Sequence, residues 1–156
     1  MIVLPNDGRL AILSHAQLSY PNECCGLLAG HIDRGNVIRI NQIVPSDNVT
    51  TERRADRFEI DPQVRFDLMR ALEGTNQQIV GHYHSHPDGP AAPSATDRSM
   101  AFEPDLVWLI CRVTEKTASP LRAWRIEGGP DSQAPLTPLP LFSGGLLDTH
   151  TPEILA

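Results

Sequence analysis

The longest strongly apolar run in the chain, Leu106 to Cys111, is the feature that most limits the fold. It falls far short of the about 20 residues a membrane-spanning helix needs. Its unbroken apolar character predicts a buried strand over Leu106 to Val113, and the alternation in Leu121 to Ile126 predicts another. Upstream, Asp7 is placed to cap a helix over Gly8 to Ser19, with Leu10, Leu13, Ala16 and Tyr20 at helical spacing and Pro21 as its stop. Cys24 to Ile32 and Val37 to Val44 predict a hairpin about the turn Asp33-Arg34-Gly35-Asn36. Pro45 to Arg54 is polar and predicts an exposed loop, followed by a short strand at Arg57 to Ile60. Asp61-Pro62 predicts a helix start, with Val64, Leu68, Ala71 and Leu72 on one face and Gly74 at the end. Gln78 to His84 reads as a strand, Asp88 to Pro93 as irregular, and Ser94 to about Phe102 as a short helix.

Helices and strands therefore intermix, which predicts an α/β or α+β class built on a single mixed β-sheet flanked by helices. A length of 156 residues suits one domain, and the core must be aliphatic because the chain has only two Trp, two Tyr and four Phe. Among 14 prolines, Pro130, Pro135, Pro138, Pro140 and Pro152 crowd the end. The division is thus a domain over 1–128 and a proline-rich, partly ordered extension over 129–156, with at most an edge strand near Leu136 to Phe142. A net charge of −6 speaks against binding a nucleic-acid backbone. The N-terminus lacks the basic start and long apolar stretch of a signal peptide. Three cysteines, two of them adjacent, make no disulfide framework, so a soluble cytoplasmic protein is expected.

Six histidines are present, and His82, His84 and His86 fall within one short stretch. On a strand, side chains two apart share a face, so His84 and His86 converge while Ser85 faces away. Neutral imidazole suits zinc or another late first-row metal, although an ordinary His-rich edge would look the same. Asp97 follows in Ser94-x-x-Asp97, where a carboxylate at a helix start could complete a set of two histidines and one carboxylate. The same residues read equally as a capping pair, and the two readings are compatible.

His84-Ser85-His86, seven residues, then Ser94-x-x-Asp97 resembles the JAMM motif of the MPN+ metalloproteases without a gap. That family also requires an upstream glutamate near the start of a strand, and Glu23, in Pro21-Asn22-Glu23-Cys24-Cys25-Gly26, looks like it. The resemblance runs from the first helix through Leu121 to Ile126. It implies the cytidine-deaminase-like JAMM/MPN architecture and a zinc ion held by His84, His86 and Asp97. It further implies Glu23 as the proton carrier for a zinc-bound water, and Ser94 as donor to the oxyanion. His82 is expected behind the ligands or in the groove wall rather than as a ligand, and Cys24 and Cys25 as packing residues, one turned to the core and the other outward, toward the site or solvent.

MPN+ enzymes cut isopeptide or peptide bonds after the Gly-Gly tail of ubiquitin-like proteins. This short chain looks like the compact stand-alone prokaryotic members, some of which act on sulfur-carrier proteins, releasing cysteine or another amino acid. The expected partner is such a carrier, with no nucleic acid and no membrane involved. One rival is a binding module for ubiquitin-like proteins that dispenses with the metal. A zinc deaminase-like hydrolase is the weaker rival, because it needs a Cys-x-x-Cys pair after the glutamate segment, and Cys24-Cys25 precedes the histidines.

Overall fold

A computed structural model describes residues 1–144, together with the backbone of a two-residue strand at Glu153–Ile154. Its strands are β1 (Ile2–Leu4), β2 (Cys25–Asp33), β3 (Val37–Ser46), β4 (Gln78–Pro87), β5 (Val107–Val113), β6 (Ala118–Ile126), β7 (Leu136–Leu139), β8 (Leu141–Ser143) and β9 (Glu153–Ile154). The helices are α1 (Asn6–Ser19), α2 (Pro62–Leu72) and α3 (Ala95–Ser99). All nine strands form one sheet in the order β7-β6-β5-β4-β2-β3-β1-β8-β9. It is mixed: β1 runs parallel to β3 and β8, and β4 parallel to β5, while the other pairs are antiparallel. The single mixed sheet with flanking helices is as the sequence predicts.

Only Pro140 separates β7 from β8, yet these strands lie near opposite ends of the sheet order. The sheet therefore curls until its ends approach, and Ile2 N donates to Pro140 O at 2.9 Å across the junction. Helix α1 fills the inner face, where Ile12 and Ala16 join Leu28, Tyr83, Leu109, Cys111 and Leu121 in the main core. On the outer face, α2 packs Leu68 against Leu27 and Ala29, and Trp108, Ile110 and Ile126 form a third cluster with Ala101. Alternation along β4 thus turns Tyr83 inward and leaves His82, His84 and His86 to the outer face.

Several boundaries differ from the sequence reading. Helix α1 starts at Asn6 with Pro5 as its N-cap, and Asp7 lies inside the first turn, where its carboxylate accepts from Gly8 N. The helix thus begins without a side-chain cap, one residue before Asp7. Arg57 to Ile60 is no strand: only a single bridge, Asn48 to Ile60, forms, because Asn48 takes the backbone groups of Arg57 and Glu59 with its side chain. Helix α3 ends at Ser99 rather than near Phe102. Beyond residue 129 the chain adds β7 to one side of the sheet and β8 beside β1, two strands where one edge strand was expected. The expected loose end falls largely outside the described residues. No helix among the described residues is long and apolar enough to cross a membrane.

Candidate metal centre

The register of β2 against β4 pairs Cys25 with His84. Two residues earlier on this antiparallel pair, Glu23 therefore falls beside His86. Ser85 secures the junction from the inner face: its N donates to Cys24 O at 3.1 Å, and its Oγ accepts from Cys24 N at 2.8 Å. Glu23 N donates to Arg54 O at 2.7 Å, and Asn48 Nδ2 donates to Glu23 O at 3.2 Å, so the 47–61 loop holds the glutamate backbone. The fourth group comes from α3. Ser94 Oγ accepts from Asp97 N at 3.0 Å and Ser94 N donates to Asp97 Oδ2 at 2.9 Å, a reciprocal capping box that fixes the carboxylate.

The polar atoms converge. His84 Nε2 and His86 Nε2 lie 3.0 Å apart, and Asp97 Oδ2 lies 3.2 Å from the first and 3.0 Å from the second. Glu23 Oε1 stands 3.6 Å from His86 Nε2, and one donor atom each from Glu23, His84 and His86 lies within 4.8 Å of the others. All four residues are buried. Donors bound tetrahedrally to zinc at about 2.0 Å would stand about 3.3 Å from one another, close to the spacing of the His84, His86 and Asp97 atoms. Hydrogen bonds cannot satisfy that triangle, because two imidazole nitrogens sharing one oxygen would set their N–H groups against each other. A cation between them satisfies all three, so the donor set fits a metal.

The surroundings orient the rings. His86 Nδ1 donates to Pro90 O at 2.8 Å, which leaves Nε2 for the cluster. The His84 ring stacks on Phe58, with centroids 4.4 Å apart at 20°. Burial lowers the pKa of His84 and keeps it neutral, as a ligand requires. Burial acts the same way on His86, but the Asp97 carboxylate outweighs it and its pKa rises. Asp97 is raised by burial and lowered more by the two imidazoles and Ser94 N, so it stays well below the usual carboxylate range. For Glu23, burial pushes the pKa up to about 8 against the opposing influence of His86. Its Oε2 has no partner among the described residues.

Glu23, His84, His86, Ser94 and Asp97 thus meet at one place. His82 lies apart from the cluster, its ring set edge-on to Trp108 at 4.4 Å, and burial lowers its pKa to about 3. Cys24 packs in the main core and Cys25 turns to the outer face opposite His84, as expected; there it is fully buried, its Sγ facing the carbonyls of Ser46, Asp47 and Glu59. Burial pushes the two thiols up to about 11 and about 12, which makes neither a nucleophile. The sequence reading missed Phe58 and the Pro90 carbonyl. Neither has a spacing signal, since one sits in an irregular loop and the other acts through its backbone.

Residues 5–127 match the family described as prokaryotic homologs of the JAB domain. The chain is 41% identical over 112 residues to the desampylase of Haloferax volcanii, covering 69% of this chain and 78% of that protein. It is 31% identical over 136 residues to the CysO-cysteine peptidase of Mycobacterium tuberculosis, covering 87% and 90%. A solution structure from Desulfitobacterium hafniense matches with a TM-score of 0.78 at 28% identity, covering 96% of this chain and 97% of that one. Fold, site and sequence matches all point to one class, the JAB-domain proteins. The chain belongs to the prokaryotic JAB family.

Proposed function

We propose that this protein is a zinc-dependent peptidase or isopeptidase that hydrolyses the bond after the C-terminal Gly-Gly of a ubiquitin-like or sulfur-carrier protein. The observation that carries the reading is the convergence of His84 Nε2, His86 Nε2 and Asp97 Oδ2 at metal-donor spacing, with the Glu23 carboxylate beside them. The names of the relatives, a desampylase and a CysO-cysteine peptidase, support the reaction and the kind of partner. His84, His86 and Asp97 would hold the ion. Zinc in such a site supplies Lewis acidity, making water acidic near neutral pH and polarising a carbonyl.

The chain's own residues supply the rest. Glu23 accepts a proton from the attacking water and returns it to the departing amine, a role that suits a buried carboxylate whose pKa lies near neutrality. The Ser94 Oγ already accepts from Asp97 N, so its hydroxyl hydrogen is free to donate to the developing oxyanion. Pro90 O holds His86 in one tautomer through the step. The 45–54 and 87–93 loops are the walls proposed for a groove around the tail. Glycine at the scissile position lets the substrate backbone approach Glu23 where a Cβ would clash. Metal analysis tests the site: wild-type protein should carry one zinc per chain, and His84→Ala and Asp97→Ala should lose it, because two protein ligands hold zinc weakly. Wild-type zinc content in both variants would overturn the assignment.

A further inference from the structure

A cavity of about 400 Å³ opens beside the cluster and has Asp97 in its wall. Phe58, Ile60, Met100 and Trp108 give it an apolar wall, while the remaining lining residues are polar or charged. Its two arginines are already neutralised: Arg57 pairs with Glu52 at 2.8 Å, and Arg65 makes a bidentate pair with Glu103 at 2.6 and 2.7 Å. Neither is left for an acidic ligand, and Glu59 adds a negative charge at the exposed rim. His82 also lines the cavity, makes no side-chain hydrogen bond among the described residues, and has a buried, unpartnered Nδ1. A wall that served only to pack would gain by replacing such an imidazole with an apolar side chain.

The cavity's distance from the cluster limits what can reach it. The His82 and His84 rings lie 6.3 Å apart, about the rise of two residues of extended chain. We propose that this cavity is a specificity pocket that takes one large, uncharged side chain, aliphatic or aromatic, from a substrate residue no more than about two residues from the glycine whose carbonyl is attacked. This deepens the reading given above, since it names a side chain that the carrier conjugate must bring. The chain could bring it from the acyl side, as the residue before Gly-Gly, or from the leaving side, as the residue released; the pocket chemistry is the same.

Binding and cleavage are measured separately. In the first arm, peptides ending X-Gly-Gly, with X as Ala, Leu, Phe, Asp or Lys, are titrated calorimetrically into zinc-loaded protein. In the second arm, Gly-Gly-X peptides carrying the same X series after the glycines are titrated into the zinc-loaded Glu23→Gln protein, which would leave them uncut. In one arm, Leu and Phe should bind at least about tenfold tighter than Ala, with Asp no better than Ala and Lys weaker than Leu and Phe, the discrimination expected of a pocket that adds several methylenes. The exposed Met100 supplies the variants, because substitution there leaves the core intact. Met100→Trp should abolish the preference by filling the mouth, and Met100→Ala should retain it. Equal affinity across both series, or a preference that survives Met100→Trp unchanged, would overturn the pocket. Cleavage of the conjugates without side-chain preference would leave the hydrolase reading standing and the pocket refuted. Selective binding sensitive to Met100→Trp, with no conjugate cut, would support the pocket and refute the hydrolase.

Discussion

A buried carboxylate oxygen without a partner costs on the order of 1–3 kcal/mol, and Glu23, two residues before a central strand, carries one with no partner among the described residues. The proton-transfer role proposed for Glu23 would account for a position that tolerates that cost. Glu23→Gln keeps the shape and removes the base, so zinc content should be unchanged while kcat falls by about 10²–10⁴-fold. Near-normal turnover in the zinc-loaded variant would remove Glu23 from the mechanism. The same variant tests its electrostatics in chelator-treated protein. The folded-state pKa is raised from 4.5 to about 8, so ionising Glu23 opposes folding, and its favourable contribution is present below about pH 4.5 and lost as pH rises through 8. Glu23→Gln should therefore stabilise the metal-free protein relative to wild type more at pH 8.5 than at pH 5, as read by urea unfolding. A difference independent of pH would contradict the burial account. Of the site, His84, His86, Ser94 and Asp97 are legible because strand parity and a capping box are local rules. The pairing of Glu23 with His86 is not, because it depends on the β2–β4 register.

At the scale of elements, β2 carries the site from beneath, and its backbone is packed more closely than any side chain permits. A Cβ on Gly26 would lie 2.3 Å from the Tyr83 ring and 2.6 Å from Val44 O. Gly26→Ala should destabilise the protein by at least about 1–3 kcal/mol, measured as a shift of the urea midpoint. A loss within about 0.5 kcal/mol would mean that β2 can shift against β3 and β4 without consequence. Long periodic elements are legible in sequence: the β2–β3 hairpin turns at Gly35 and Asn36, both at positive φ, and α2 begins with Asp61 accepting from Gln63 N. Short ones are not. Strand β1 is a three-residue apolar run closed by Pro5, too brief to show alternation, and the apparent strand at Arg57 to Ile60 loses its pairing to the Asn48 side chain.

The whole molecule depends on its closing segment. Nothing local in a proline-rich tail announces that β7 and β8 will occupy distant places in one sheet, because that outcome follows from the curl of the other strands. Leu141 nevertheless reaches 5% exposure in the main core beside Ile2. Leu141→Ala should cost about 2–5 kcal/mol in thermal or urea unfolding, the range of buried leucines, whereas a residue of a loose tail would change stability by less than about 0.5 kcal/mol. With the sheet curled, the outer-face end of β4 is left to the candidate metal centre and the side-chain cavity. The most direct test of the proposed activity is mass spectrometry of a carrier-protein conjugate ending Gly-Gly-X, incubated with the zinc-loaded protein. A carrier shortened to its Gly-Gly terminus, with free X released, should appear, vanish on chelation and return with added zinc. An intact conjugate in the presence of protein carrying one zinc per chain would contradict it.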